Sequence, residues 1–317
     1  MKLLIRTLWS VAALAAVWLG ACAVAGIQSA EGALHPGRRA LTPAAEAQAA
    51  AMANANHATL QPVSITAADG AALRAWLFRS NQGNGDAVIV LHGKGDNRLG
   101  VLAPAELLLR HGYSVLLPDS RGQGVSDGDI ATYGIKEADD IRRWFDWLAQ
   151  TQAPHCIDGL GESMGAAEVL QSLRTISGYC AVVAESPFSS FRDASFDRIG
   201  QWFGTGPWLG RTLLRPTIGF GFLYLLSKYS VNLAHDDPAQ AVAASRVPVL
   251  LIDGLLDDTL PPHNDEKILA VSRGRNPDVA LWEPPDAGHT GALGAEPEEY
   301  ERRVIGWLQS HRSVAAH

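Results

Sequence analysis

From about residue 60 onward the chain alternates short apolar runs with amphipathic stretches, and this alternation restricts the possible folds most. The apolar runs of strand length are residues 87–91, 114–117, 156–160, 181–184, 247–252 and 279–282. Helical patterns separate them, at residues 99–110, 135–150, 164–176 and 263–271, and a last one follows at 297–309. Strands buried on both faces need continuous apolar runs. The alternation therefore predicts an α/β fold with a doubly wound, mostly parallel sheet.

Two features extend this prediction. Residues 63–66 and 73–77 flank Asp69-Gly70, a turn signal that predicts two antiparallel strands at the start of the domain. Residues 187–246 separate two strands by far more chain than a simple crossover needs. We interpret this interval as a helical cap inserted before the strand that ends at Asp253.

The N-terminus is typical of an exported protein. Lys2 and Arg6 precede residues 7–30, which carry no charge, as in an export signal or a membrane span of about 20 residues. Three fates stay open: an uncleaved anchor, cleavage after Ala23-Val24-Ala25, or lipidation of Cys22. All three predict an exported domain, and the anchor and the lipoprotein would hold it at the membrane of the cell envelope, facing the periplasm or exterior. The apolar residues of this segment cover every face of a helix rather than one stripe that could pack on a core, so we expect residues 1–30 to lie outside the fold.

The remaining boundaries follow from composition. Residues 31–59 are rich in alanine and predict a spacer, and residues 60–317 form the main domain. The 26 Lys+Arg against 33 Asp+Glu give a net charge of −7 without a long basic run, so we expect no nucleic-acid partner. The 3 cysteines form no C-x-x-C pair, so we expect no metal site.

A candidate nucleophile follows the run at 156–160. Gly161-Glu162-Ser163-Met164-Gly165 is a G-x-S-x-G pentapeptide between a predicted strand and a predicted helix. A strand-turn-helix elbow of this kind holds its serine in a strained turn, where both neighbours must be small. Ser163 is therefore expected at the carboxyl edge of the sheet.

Two further motifs carry a resemblance to a known family. Leu91-His92-Gly93-Lys94-Gly95-Asp96 and Asp119-Ser120-Arg121-Gly122-Gln123-Gly124 follow the third and fourth strands. Together with the elbow, they make residues 60–310 resemble the α/β-hydrolase superfamily, most closely its serine-aminopeptidase-like and Bem46-like members. The resemblance implies an oxyanion hole made by the backbone N–H groups of Lys94 and Met164. We expect Arg121 to brace a loop rather than take part in catalysis.

The resemblance also implies the partners of the serine. Family members carry the acid three residues after a glycine and four before a proline, which selects Asp257 between Gly254 and Pro261. Asp258 and Glu185 stay open as alternative acids. The base is expected in a loop after the last strand, where His289 stands.

These roles predict a serine hydrolase with the triad Ser163, His289 and Asp257, which needs no cofactor. The aromatic side chains of the cap favour a small-molecule ester or thioester with an apolar acyl group as substrate. A peptidase or amidase, or a catalytically silent binding module of the same fold, stays open. Cys156 and Cys180 start neighbouring strands, and a disulfide between them is a further prediction that depends on which way the side chains point.

Overall fold

Eight strands form one sheet in the computed structural model of the protein, which describes residues 1–312. The strands are β1 (Ala58–Thr66), β2 (Ala72–Ser80), β3 (Ala87–Leu91), β4 (Ser114–Pro118), β5 (Ile157–Glu162), β6 (Val182–Glu185), β7 (Val249–Ile252) and β8 (Val279–Trp282). Their order across the sheet is β1-β2-β4-β3-β5-β6-β7-β8. β1 pairs antiparallel with β2, and β2 with β4, whereas all other pairs are parallel. The predicted hairpin and the mostly parallel sheet are both confirmed.

Twelve α-helices complete the described part of the chain. They are α1 (Lys2–Leu34), α2 (Pro43–Ala55), α3 (Leu102–Arg110), α4 (Glu137–Gln152), α5 (Met164–Ser172), α6 (Phe191–Phe203), α7 (Trp208–Arg211), α8 (Arg215–Tyr229), α9 (Pro238–Ala244), α10 (His263–Ser272), α11 (Ala292–Ala295) and α12 (Pro297–Ser310). A 3₁₀ turn at Leu233–His235 joins α8 to α9.

The strands bury side chains on both faces of the sheet, because helices cover both. Along β3, Val88 and Val90 pack with α2, α3 and α12, whereas Ile89 and Leu91 pack with α4, α5, α9 and α10. This alternation is the reason that β3 is apolar at every position. The predicted α/β fold is confirmed.

A helical cap stands between β6 and β7, as the long interval at 187–246 predicts. It consists of α6, α7 and α8, whereas α9 packs with α5 and α10 on one face of the sheet. α6 begins after Ser190, whose side chain accepts the N–H of Asp193 at 3.2 Å, and ends at Gly204 in the left-handed conformation.

The N-terminal helix departs from the expectation that it has no buried stripe. Residues 2–17 of α1 are exposed, but Cys22, Gly26, Ala30 and Leu34 are buried, and the second half of α1 packs on α8. These positions recur every fourth residue and so lie on one helix face. Three of the four are small, so they do not produce the pattern of large apolar residues from which a buried face is predicted.

The alanine-rich segment also differs from a free spacer. The hydroxyl of Tyr133 donates to the carbonyl of Ala33 at 2.6 Å, and Arg39 pairs with Asp96 at 2.8 Å. Farther along, α2 buries Ala49, Met52 and Ala53 in the core. Residues 31–59 therefore lie against the domain rather than forming a free spacer.

The predicted disulfide is present. Cys156 and Cys180 flank the amino ends of β5 and β6, with their Cα atoms 5.8 Å apart and their sulfur atoms bonded. The two side chains therefore point toward each other rather than to opposite faces of the sheet.

Candidate active site

The serine elbow lies between β5 and α5, where the sequence places it. Ser163 has φ 54° and ψ −115°, a backbone conformation that residues other than glycine rarely adopt and that stores strain. A Cβ at Gly161 would lie 2.3 Å from the carbonyl oxygen of Gly165, and one at Gly165 would lie 2.4 Å from that of Leu91. Both contacts are too short for any side chain, which explains why the turn needs glycine on both sides.

Two loops bring an imidazole and a carboxylate to this serine. Asp257 follows β7 and His289 follows β8, at the same edge of the sheet as Ser163. The distance from His289 Nε2 to Ser163 Oγ is 2.8 Å, and that from His289 Nδ1 to Asp257 Oδ2 is 2.7 Å. The structure thus brings the three residues proposed from sequence into one hydrogen-bonded chain.

Asp257 is held as a carboxylate. Burial alone would raise its pKa, but the hydrogen bond and charge of His289 lower it, and the N–H groups of Leu260 and Thr259 add to this effect. Those two N–H groups donate to Oδ1 at 2.9 and 2.8 Å, so the net result is a pKa below the usual range. An ionised Asp257 accepts a hydrogen bond from the Nδ1–H group of His289, which leaves Nε2 unprotonated and able to accept a hydrogen bond from the serine hydroxyl.

The alternative acids make other contacts. Among the described residues, the backbone carbonyl of Asp258 accepts a hydrogen bond from Gln201 at 2.6 Å. Glu185 accepts the N–H of Ala292 at 2.9 Å, and burial raises the pKa of Glu185 to about 7. Of the three candidate acids, the structure therefore joins only Asp257 to His289.

The His-Gly turn lies directly against the serine. A Cβ at Gly93 would lie 3.5 Å from that of Ser163. The buried ring of His92 accepts the N–H of Ser120 at 3.1 Å and bonds the carbonyl of Gly93 at 2.8 Å. Burial lowers the pKa of His92, so the ring is neutral and fixes the turn through one donor and one acceptor. This arrangement places the backbone of Lys94 beside the elbow.

Gln123 contributes a contact that sequence reasoning missed. Its Oε1 accepts the N–H of Gly95 at 2.5 Å, and its Nε2 lies 3.6 Å from the sulfur of Met164. This fully buried side chain thus links the two backbone segments expected to form the oxyanion hole. Its position in the D-x-R-G-x-G loop is the one sequence signal that could have indicated this role.

The neighbouring Arg121 braces its loop, as expected. Its guanidinium makes two hydrogen bonds to Asp140, at 2.6 and 2.7 Å, and a third to Asp69 at 2.8 Å.

Two residues with strained backbones support the loop that carries the imidazole. Ser186 and Thr290 both have positive φ, and the N–H of Thr290, which follows His289, donates to the Ser186 hydroxyl at 3.1 Å. No sequence signal indicates this contact.

Comparison with known proteins agrees with this architecture. The chain is 30% identical over 247 residues to an uncharacterized protein of Mycobacterium tuberculosis, an alignment covering 77% of this chain and 75% of that one. It is 26% identical over 228 residues to the uncharacterized protein YqkD of Bacillus subtilis, covering 71% and 72%.

Solved structures share the fold. An esterase of Pyrococcus furiosus superposes with a TM-score of 0.68 at 25% identity, covering 88% of this chain and 100% of that one. An acylaminoacyl peptidase of Pyrococcus horikoshii superposes with a TM-score of 0.59 at 16% identity, covering 80% and 42%. A model of the alpha/beta hydrolase family matches residues 88–303. The chain is a member of the alpha/beta hydrolase family.

Proposed function

We propose that the protein is a serine hydrolase that cleaves carboxylic esters or thioesters with apolar acyl groups. The observation that carries this proposal is the chain of two short hydrogen bonds from Ser163 through His289 to the buried Asp257. A serine hydroxyl is a weak nucleophile until an adjacent base takes its proton. These contacts provide that base and a third group that orients it.

The reaction would run in two halves. Ser163 Oγ attacks the carbonyl carbon while His289 Nε2 takes the hydroxyl proton, and the carbonyl π electrons move onto oxygen. When the tetrahedral intermediate collapses, the bond to the alcohol or thiol breaks and the imidazolium returns the proton to that leaving group. Water, deprotonated by the same imidazole, then releases the acid and restores the serine. Asp257 stabilises the imidazolium in both halves.

The backbone N–H groups of Lys94 and Met164 are proposed to bind the oxyanion. Met164 begins α5, so its N–H points toward the elbow at a helix N-terminus, where partial positive charge favours an anion. Lys94 belongs to the turn that packs on Ser163 through Gly93. The side chain of Lys94 lies over the ring of Tyr133 at 5.6 Å and has no assigned role in this step.

The preference for an apolar acyl group rests on the side chains beside the elbow. Met164, Phe188 and Leu260 belong to one buried cluster, with Tyr133 at its side. Other cap aromatics expected to line an acyl pocket do not support it, because Trp202, Phe203 and Trp208 are exposed. The apolar surface near Ser163 is therefore provided by residues that surround the elbow beneath the cap, from the start of α5 and from the loops that precede α4, α6 and α10.

Hydrolysis of p-nitrophenyl esters of increasing acyl length tests this proposal. We expect turnover that rises from acetate to longer acyl groups and is lost in Ser163→Ala, by about 10⁶-fold as in a comparable serine protease. Residual turnover in Ser163→Ala within tenfold of wild type would contradict the nucleophile. Turnover of acyl amides but not esters would favour a peptidase.

We further propose that α1 is an uncleaved anchor with Lys2 and Arg6 on the cytoplasmic side and the catalytic domain exported. α1 is long and apolar enough to cross a bilayer. Residues 2–21 measure about 30 Å at 1.5 Å per residue, the thickness of the hydrocarbon core, and the long side chains of Lys2 and Arg6 reach back to the headgroups on the cytoplasmic side. The later residues of the same helix pack on the cap, which ties the anchor rigidly to the domain.

A further inference from the structure

The outer end of the cap exposes large apolar side chains that the proposed reaction does not use. Trp202, Phe203, Trp208 and Leu213, which we call the cap tip, are exposed by 63%, 60%, 59% and 57%. They come from the end of α6, from α7 and from the residues before α8. A Cβ at Gly200 would lie 2.3 Å from the carbonyl oxygen of Gly206, so the end of α6 and the start of α7 are in contact. Exposed apolar patches of this kind mark interaction surfaces.

The direction of the cap relative to α1 shows what this surface faces. Gly26 lies against Thr217 and Gly221, and farther along both helices Glu31 pairs with Lys228 at 2.7 Å. From the first of these contacts to the second, the residue numbers rise in both helices, so α1 and α8 run parallel. The start of α8 therefore lies level with about Cys22, and the cap tip lies toward the exposed, apolar half of α1.

The charge of this region favours a lipid surface. Residues 198–229 contain the cations Arg198, Arg211, Arg215 and Lys228 and no Asp or Glu, in a chain whose net charge is −7. Arg211 and Arg215, which bracket Leu213, are exposed, and Arg211 keeps this exposure while it lies 3.5 Å from Asp193. Tryptophan and arginine side chains are favoured at the boundary between lipid and water, and clustered cations attract anionic headgroups.

We propose that the cap tip lies in the headgroup region of the bilayer that α1 spans, with Arg211 and Arg215 facing anionic headgroups. The proposal rests on the anchor proposed above and adds that the cap itself is in the membrane surface. It commits to a lipid bilayer rather than to a second copy of the chain or another protein. The domain would thus be held in one orientation, with its cap toward the lipid.

Spin labels on the full chain in phosphatidylcholine vesicles containing one quarter phosphatidylglycerol test this proposal. In a Cys22→Ser background, single labels are attached at Trp208→Cys in the cap tip, at Val11→Cys in α1, and at Thr151→Cys as control. Thr151 is exposed at the end of α4, at the opposite edge of the sheet. Intact hydrolysis of p-nitrophenyl acetate by each labelled variant verifies its fold.

The readout is relaxation of each label by oxygen, which partitions into lipid, and by a nickel chelate, which stays in water. We expect oxygen to dominate at positions 208 and 11, and the chelate at position 151. Dominance of the chelate at position 208 would overturn the inference. If oxygen still dominates at position 11, only the placement of the cap tip fails, whereas dominance of the chelate at both positions means that the proposed anchor fails as well. Protection of the 208 label from both reagents would also overturn it, because this result indicates a protein neighbour.

Discussion

At the scale of single residues, the proposed triad depends on which carboxylate faces the imidazole. Asp257 and Asp258 are adjacent, yet only Asp257 points at His289, because the N–H groups of Thr259 and Leu260 hold its other oxygen. We predict that Asp257→Asn lowers kcat by about 10⁴-fold, as in a serine protease with the same arrangement. Asp258→Asn, the matched control, should stay within a few-fold of wild type. The reverse ranking in steady-state kinetics would move the acid by one residue.

Glu185 leads to a prediction about stability and pH. Burial raises its pKa from 4.5 to about 7, so the folded protein keeps this proton over a range in which the unfolded chain has lost it. The unfolded state therefore binds fewer protons between pH 4.5 and 7, and stability falls as pH rises through that window. Glu185→Gln removes this titratable group. We predict that the free energy of unfolding of wild type, measured relative to that of Glu185→Gln, drops by on the order of 3 kcal/mol across the window. If denaturant titrations show the same pH dependence of stability in both proteins, the prediction is contradicted.

The residues of the candidate site differ in how predictable they are. Ser163 lies in a motif with an unusual backbone requirement, and His289 and Asp257 follow strands at the expected edge, so pattern and resemblance together place all three. Gln123, Ser186 and Thr290 act through contacts between loops distant in sequence. Apart from the place of Gln123 in the D-x-R-G-x-G loop, nothing in the local pattern points to such contacts, and the folded chain reveals them.

At the scale of elements, the disulfide joins the amino ends of β5 and β6. Its two cysteines are 24 residues apart, and a loop of that length corresponds to roughly 3 kcal/mol in the chain-entropy model. We predict that replacing both cysteines by serine lowers the free energy of unfolding by about this amount while activity at low temperature persists. Thiol titration of the denatured, unreduced protein should detect Cys22 alone. Two further reactive thiols would contradict the bond.

The elements also separate what pattern can and cannot predict. Strands and core helices are predictable because burial on both faces, or on one stripe, leaves a period in the sequence. The buried side of α1 has no such signal, because Cys22, Gly26 and Ala30 are small. The large apolar residues of α1 lie on its remaining faces. Close helix packing through small residues depends on the partner helix α8, which no local window contains.

At the scale of the whole molecule, α1, the cap and the sheet domain pack together as one unit. An uncleaved anchor does not need the sulfur of Cys22, whereas a lipoprotein does. We therefore predict that Cys22→Ser stays in the membrane fraction at the wild-type level, with an intact mass that includes residues 1–30. Release of Cys22→Ser into the soluble fraction would indicate lipidation instead. Recovery of wild type wholly in the soluble fraction would contradict both fates.

Labelling by a fluorophosphonate shows whether the serine in the elbow is activated. The reagent reacts with a serine only when a neighbouring base and oxyanion donors activate it. We predict one covalent adduct, located by peptide mass spectrometry on Ser163, strongly reduced in His289→Ala and absent in Ser163→Ala. Failure of the folded wild-type protein to react, or an adduct on a different residue, would contradict it.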